Sequence, residues 1–409
     1  MPLPALPFPG FLRVSAGQRR WLARYHGWLL GALWLLVQLL LLWKHGGPRS
    51  VTDSRRYLLY AQQIAEQWYF EHDHNLRYVG YPVYCSLWLK SGAGLWGIVL
   101  GQMVVAGLAA WAFYRALLQL TGRRLVAAGA TALLLLWPDT QNLNAYILTE
   151  SLFTSGILLC FWALTFVSGR WGITRLLVLA LATALLRPNG FLIPMALAGA
   201  AGWQLWPRLT PRQRGVVVVA VAAVMPLLWM VLNKLLLTFT LIETYLRGEI
   251  IYLYPGWTVQ PRQPLQLPPA DLGPVLRLAY FILHNPAYFA QLALLKAFAL
   301  FSGLKPYYSR VHIVAAVVVL YPCYWLAWRG SRAAAFPGIV RCFLVALIGL
   351  QALVVMLTIE DWDVRFLVPM LPAIFALAAL GMAAWLPGCL GGPPRAALPE
   401  TLPEARPAL

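Results

Sequence analysis

Two carboxylates stand beside long apolar segments, where they could carry out chemistry at a membrane surface. Asp53 follows the first apolar run and opens a segment with the apolar spacing of a helix. There it could take the proton of an attacking hydroxyl group, or it could cap the first turn of that helix. Glu150 opens a later apolar run. A carboxylate entering such a helix is costly and indicates a functional site, although an acid in the first turn also stabilises a helix.

Two arginines occupy comparable positions at the ends of apolar runs. Arg187 lies in a short turn between two runs, and Arg365 opens the last run just after Asp361 and Asp363. An unpaired cation at such a depth is costly, so each arginine should pair with an acid or bind a phosphate, whose oxygens match the guanidinium fork. The alternative is that both side chains simply extend to the polar interface.

A basic and aromatic stretch lies later in the chain, and a lipid phosphate would lie at its depth. The residues predicted to contact that phosphate or its neighbours are Lys296, Lys305, Tyr307, Tyr308 and Arg310. Anchoring of ordinary lipid headgroups by an aromatic belt is the competing interpretation.

Metal binding stays open at this stage. His72, Asp73 and His74 could supply ligands to a divalent cation, but their spacing is not diagnostic. The five cysteines are scattered and predict neither a metal site nor a disulfide framework. No cofactor is therefore predicted, and a divalent metal remains an option.

The composition shows which elements must position these side chains. Of 409 residues, 60% are hydrophobic and only 11% are charged, whereas a soluble domain carries charge on about a quarter of its residues. Apolar runs of about 20 residues, long enough to cross a bilayer, recur along the chain. The sequence thus predicts an all-α polytopic membrane protein. The net charge of +18 is explained by arginine in cytoplasmic loops, and nucleic acid is not expected as a partner.

Hydropathy and charge predict about ten transmembrane helices with both termini in the cytoplasm. A single transmembrane domain, 27–386, lies between tails 1–26 and 387–409, with outer loops 44–93 and 238–310 that include juxtamembrane helices. The apolar stretch 285–301 could dip part-way into the bilayer. The predicted spans are 27–43, 94–114, 125–137, 147–167, a fifth beginning at 176, 190–206, 216–237, 311–328, 342–357 and 366–385.

The acidic residues gather at one face of this topology. Of the 14 Asp and Glu residues, all but Glu400 and Glu404 fall at or beyond the outer membrane face. Acidic residues contribute little to membrane orientation, so this asymmetry indicates a functional surface on the outer side.

The order of several short motifs resembles the GT-C glycosyltransferases, the superfamily of protein mannosyltransferases, lipid A aminoarabinose transferases and bacterial arabinosyl and pilin-modifying transferases. The resemblance covers about residues 28–380. The motifs are Asp53 after the first span, Gly80-Tyr81-Pro82, Leu148-Thr149-Glu150-Ser151-Leu152, Leu186-Arg187-Pro188-Asn189-Gly190, His284-Asn285-Pro286 with Tyr288, and Val364-Arg365-Phe366 with Pro369 and Pro372. Ser54 follows Asp53 where many protein mannosyltransferases have a second acid, which argues against that branch.

The resemblance implies a multi-pass protein of the bacterial inner membrane, with its active site on the periplasmic side. It would transfer a sugar, with inversion, from a polyprenyl-phosphate donor held among membrane lipids to a hydroxyl group of a periplasmic glycan, lipid or protein. The implied catalytic residues are Asp53 as general base and Glu150. The implied donor-phosphate contacts are Arg187, Lys296, Lys305, Arg310 and Arg365. The implied acceptor or sugar contacts are Arg56, Tyr57, Tyr81, Tyr307 and Tyr308.

Two other classes of protein remain as alternatives. A secondary transporter or flippase for a lipid-linked or anionic substrate would need charges at the bilayer midplane and usually shows internal repeats. Here the acids fall at helix ends, and no repeat is visible. An O-antigen ligase or polymerase would share the donor class. Whether Asp53 and Glu150 share an outer cleft should separate these alternatives from a GT-C enzyme.

Overall fold

The computed structural model describes residues 16–71, 74–233, 241–359 and 364–385. Within these ranges the chain forms α-helices and short turns but no β-strand. The helices are α1 (Ala16–His45), α2 (Thr52–Gln67), α3 (Gly80–Lys90), α4 (Gly94–Thr121), α5 (Arg124–Leu136), α6 (Pro138–Asn142), α7 (Thr149–Thr165), α8 (Gly169–Ala184), α9 (Leu192–Leu205), α10 (Pro211–Val231), α11 (Leu241–Leu246), α12 (Pro274–His284), α13 (Pro286–Ser302), α14 (Arg310–Ala315), α15 (Tyr321–Arg332), α16 (Gly338–Leu357) and α17 (Leu371–Trp385).

Six helical segments in the described part of the chain are long and apolar enough to cross a membrane. They correspond to the first, second, seventh, eighth, ninth and tenth predicted spans, and the chain is a multi-pass membrane protein. Helices α12 and α13 are bent by 105° at their junction and would form a seventh span if counted together. The six segments are Arg24–His45, Gly94–Thr121, Pro211–Met230, Arg310–Arg332, Gly338–Leu357 and Val368–Trp385.

By length and hydropathy the described residues thus supply six or seven candidate spans, fewer than the ten or so predicted. The predicted third, fourth, fifth and sixth spans form α5, α7, α8 and α9, with 13, 17, 16 and 14 residues. At 1.5 Å per residue, a helix of that length covers about 20–26 Å, short of a hydrocarbon core about 30 Å thick. Pro138 lies two residues after the end of α5 and Pro188 four residues after the end of α8, and proline disfavours the helical conformation of the residue before it.

The main core surrounds α17, most of which is buried between α15, α5, α4 and α7. Two glycines allow α15 and α17 to approach closely. A Cβ atom on Gly330 would lie 1.9 Å from the Leu377 carbonyl oxygen, and one on Gly381 would lie 2.0 Å from the Leu326 carbonyl oxygen. Small residues at such crossings let membrane helices pack backbone against backbone.

Two smaller cores lie outside this bundle. One joins α2, α3 and α4 to the segment before α7 and includes Tyr57, Tyr81 and Ile147. The other lies within 242–299 and includes Tyr245 and Phe281. The predicted loop 44–93 is thus largely helical, as α2 and α3, and the first of these cores fixes α2 against the bundle.

Candidate functional site

The segment before α2 pairs with the segment before α7. The Arg49 amide donates to the Ala145 carbonyl oxygen at 2.9 Å, and the Ile147 amide donates to the Arg49 carbonyl oxygen at 2.9 Å. Within α2, the Ser54 hydroxyl donates to the Ile147 carbonyl oxygen at 2.8 Å. These three bonds hold the first turns of α2 and α7 side by side, and each of those turns carries one of the two predicted catalytic acids.

The two acids meet in an ion-pair network, here called the carboxylate–arginine cluster: Asp53, Arg56, Glu150, Arg187 and Arg365. Arg365 connects the acids, because its Nη1 lies 2.8 Å from Asp53 Oδ2 and its Nε donates to Glu150 Oε1. Arg187 Nη1 lies 3.2 Å from the same Glu150 oxygen. Arg56 Nη2 lies 3.1 Å from Asp53 Oδ1. Three guanidinium groups therefore surround two carboxylates and leave an excess of positive charge.

Exposure increases from one end of the cluster to the other. The side chain of Glu150 is fully buried and that of Arg187 is 7% exposed, whereas Asp53 is 30% and Arg56 45% exposed. The second oxygen of Glu150 accepts from the Thr149 hydroxyl at 3.2 Å, so this carboxylate is fully engaged. Its negative charge offsets the two neighbouring arginines, which could not be buried unpaired. Asp53 is the carboxylate that a substrate could reach.

A chain of polar contacts holds the two inner arginines against each other. Asn189, in the turn after Arg187, donates to Gln351 Oε1 at 2.7 Å. Gln351 Nε2 in turn donates to the Phe366 carbonyl oxygen at 3.4 Å, and Arg187 Nη1 donates to the Arg365 carbonyl oxygen at 3.4 Å. Gln351 was missed in the sequence, although a glutamine inside the apolar run of α16 was a usable signal.

Two backbone positions beside the cluster are constrained. Val364 adopts φ +60°, a left-handed conformation that is strained for a β-branched residue, and it directly precedes Arg365. A Cβ atom on Gly190 would lie 2.2 Å from the Ala184 carbonyl oxygen. The tight turn that carries Arg187 therefore requires a glycine at its end.

Tyr57 lies beneath the cluster on the buried face of α2. Its ring packs edge-to-face against Tyr78 at 5.1 Å and Tyr81 at 5.3 Å. Burial raises the pKa of Tyr57 to about 12, with a further contribution from the negative charges of Glu150 and Asp53. The hydroxyl group therefore stays protonated at physiological pH and can donate a hydrogen bond, but it is not a base.

Two other predicted contact residues lie inside the protein. The hydroxyl of Tyr81 is buried and donates to Gln102 Oε1 at 3.4 Å. Lys296 is fully buried, with its Nζ 3.7 Å from the centre of the Tyr245 ring and donating to the Thr358 carbonyl oxygen at 2.5 Å. Both side chains are engaged in contacts within the fold.

The remaining predicted residues lie at the start of α14 and in the loop before it: Lys305, Tyr307, Tyr308 and Arg310. The ring of Tyr308 packs on His312 at 4.0 Å, and His312 Nε2 lies 3.7 Å from Asp139 Oδ2. Burial raises the pKa of the Asp139 carboxyl, and the nearby His312 and Lys305 oppose that shift. Lys305 is buried, whereas Arg310 is exposed.

Among the described residues, no three His, Cys, Asp or Glu side chains lie close enough together to hold a metal ion. His72 and Asp73 of the predicted ligand group lie outside the described residues, as do Asp361 and Asp363. The carboxylate–arginine cluster itself is held together by guanidinium groups.

The cluster offers a carboxylate that a substrate can reach, beside a surplus of fixed positive charge. Such a set of groups can accept a proton and stabilise an anion at the same time. Comparison of the chain with protein-family models, with curated proteins and with solved structures returned no match.

Proposed function

We propose that the protein is an inverting glycosyltransferase of the GT-C type, in which Asp53 is the general base. It would move a sugar from a polyprenyl-phosphate donor to a hydroxyl group of a glycan, lipid or protein. The observation that carries the proposal is the position of Asp53: it is reachable from solvent and flanked by Arg56 of its own helix and by Arg365, which precedes α17. The arginine-rich loops would stay in the cytoplasm, with the cluster on the periplasmic side of the bacterial inner membrane.

The donor phosphate would bind on the Arg365 side of Asp53. In the free protein both oxygens of Asp53 accept from arginine, which leaves little room for a hydroxyl proton. A phosphate offers Arg365 two oxygens in the geometry that a guanidinium group prefers. As Arg365 turns towards the phosphate, Asp53 loses one of its two arginine partners and can accept the proton of the acceptor hydroxyl. Donor binding would thereby prepare the base.

The reaction is then a single displacement at the anomeric carbon. The bond from that carbon to the donor phosphate oxygen breaks, and a bond to the acceptor oxygen forms on the opposite side. The acceptor proton passes to Asp53, and polyprenyl phosphate leaves as an anion. Positive charge fixed near the leaving phosphate stabilises this transition state. Because phosphate is already a fair leaving group, no acid is needed to protonate it.

Glu150 and Arg187 would act as positioning residues in this mechanism. Both are almost fully buried and pair with each other at 3.2 Å. Glu150 also accepts from Arg365, so its charge fixes the guanidinium group that would meet the phosphate. This geometry favours a supporting role for Arg187 over the direct phosphate contact that the motif resemblance implies.

The test uses the purified protein in neutral-lipid nanodiscs with a panel of polyprenyl-phosphate sugars and a bacterial envelope extract as acceptor. We expect one donor to release free polyprenyl phosphate, and the release to depend on the extract. Intact donors across the whole panel would overturn the proposal. In liposomes, movement of an uncleaved donor between leaflets would instead favour a flippase.

A further inference from the structure

A groove of about 370 Å³ runs along the exposed face of α2, next to the carboxylate–arginine cluster. Its volume lies within the range of small-ligand sites. Six of its seven lining residues carry polar groups and the seventh is Leu59, while the larger share of the lining surface is apolar, so the groove suits a ligand with both polar groups and carbon faces, such as a sugar. Its polar lining residues are Thr52, Arg55, Arg56, Tyr60, Gln63 and Glu71.

The groove opens onto the candidate base through Arg56. This side chain lines the groove and also lies 3.1 Å from Asp53 Oδ1. The other oxygen of Asp53 faces Arg365, which is less exposed. Asp53 therefore stands between the groove on one side and Arg365 on the other. In a displacement reaction the base must contact the acceptor. With the donor on the Arg365 side of Asp53, the groove is the side that remains for the acceptor.

One cation in the groove is available to a ligand. Arg55 is exposed, and it makes no ion pair or hydrogen bond with any part of the chain that the structure describes. Arg56, in contrast, is held by Asp53. The wall formed by Glu71 is fixed, because the Glu71 amide donates to the Tyr60 hydroxyl at 3.1 Å. A ligand that occupies the groove would thus meet the exposed guanidinium group of Arg55, polar partners on Thr52 and Gln63, and the side chain of Glu71.

We infer that the groove binds the acceptor, a glycan whose sugars carry a carboxylate or phosphate group, and that Arg55 selects for that negative charge. The inference rests on the proposed transfer reaction only in naming the ligand as the acceptor; the groove and the exposed Arg55 do not depend on that reaction. A guanidinium group pairs with either anion through two parallel hydrogen bonds. A neutral sugar would leave Arg55 without a partner and should bind more weakly.

Direct binding to the full chain in nanodiscs of neutral lipid tests the inference without any donor. Glucose 6-phosphate, glucuronate and glucose are titrated separately, and Kd is measured by calorimetry. We expect both anionic sugars to bind about ten-fold more tightly than glucose, and Arg55→Gln to remove that preference while glucose binding stays unchanged. Arg262→Gln is the matched control, because Arg262 is also exposed but lies outside the groove; it should behave as the wild type.

Three outcomes would overturn the inference. They are equal affinity for all three sugars, an equal loss of affinity in Arg55→Gln and Arg262→Gln, and displacement of the sugars by nanodiscs that contain phosphatidylglycerol. The last outcome would assign the groove to a lipid headgroup. Binding that depends on Arg55 without any release of polyprenyl phosphate would remove only the transfer reaction. Release without such binding would remove only the groove inference.

Discussion

Arg365 Nη1 lies 2.8 Å from Asp53 Oδ2, although the two residues are 312 positions apart in the chain. The contact joins the first turn of α2 to the residues that precede α17, and the same guanidinium group also donates to Glu150. One side chain thus fixes both acids of the carboxylate–arginine cluster. A substrate anion that attracts Arg365 would change the surroundings of both carboxylates.

Glu150 should be essential for stability. Glu150→Gln leaves Arg187 and Arg365 next to a neutral group in a buried site, and loss of one partner of a buried ion pair costs about 3–5 kcal/mol. We expect a clear fall in Tm, measured by thermal unfolding in detergent. Glu243→Gln is the control, because Glu243 is 56% exposed where it pairs with Arg247, and exposed pairs contribute about 0–1 kcal/mol. Equal Tm values for the two variants would contradict the role of Glu150.

Arg365 should not be replaceable by lysine. A lysine carries a single ammonium group on a flexible stem and cannot reproduce the rigid fork that donates to both carboxylates. We expect Arg365→Lys to lower kcat for donor cleavage about 100-fold and to raise the KM for the donor. Arg329→Lys is the control, because Arg329 lies at the C-terminal end of the span that α14 and α15 form and is not a member of the carboxylate–arginine cluster. It should leave kcat and KM unchanged. Wild-type kinetics in Arg365→Lys would exclude the bridging role.

Lys296 tests an assignment that came from the motif resemblance. In the structure its Nζ contacts the Tyr245 ring and the Thr358 carbonyl oxygen, and that oxygen also accepts from the Thr244 hydroxyl at 3.2 Å. We expect Lys296→Met to leave the KM for the donor within about two-fold of wild type and to change stability by about 1 kcal/mol. A ten-fold rise in that KM would instead support a contact between Lys296 and the donor phosphate.

Tyr57 should make stability depend on alkaline pH. Its pKa is raised to about 12 in the folded state, against about 10 in an unfolded chain. The resulting stabilisation is complete below about pH 10 and is lost as the pH rises through about 12. Unfolding in denaturant at several pH values should therefore show a steeper loss of stability in wild type than in Tyr57→Phe. Tyr252→Phe, at an exposed position, should follow the wild type; parallel curves for all three proteins would contradict the expectation.

The sequence was informative about the membrane class and about single positions at helix ends. Asp53 stood out because it follows an apolar run, and Glu150 and Arg365 because each opens one; the structure brings these three together. Their partners could not be predicted, because contacts between residues 215 and 312 positions apart arise from tertiary packing. The role of Gln351 likewise depends on the neighbouring turn that carries Asn189.

Other features were not predictable for different physical reasons. Lysine and tyrosine occur both at lipid interfaces and inside proteins, so Lys296 and Tyr81 gave no sign that packing would bury them. The lengths of the helices were not predictable either, because hydropathy counts apolar residues along the chain, whereas a proline such as Pro188 shortens the helix that they can form. The groove beside α2 became visible only once the Glu71 wall was placed.

The central claim is that Asp53 is the base in sugar transfer, and replacing its carboxylate tests this most directly. Release of polyprenyl phosphate is measured for wild type, Asp53→Asn and Glu66→Gln, the last being an exposed acid on the same helix, with Tm as the check on folding. A general base contributes about 10²–10⁴-fold. We therefore expect Asp53→Asn to lose that much turnover while Glu66→Gln keeps the wild-type rate. Near-normal turnover in a folded Asp53→Asn protein would contradict the claim.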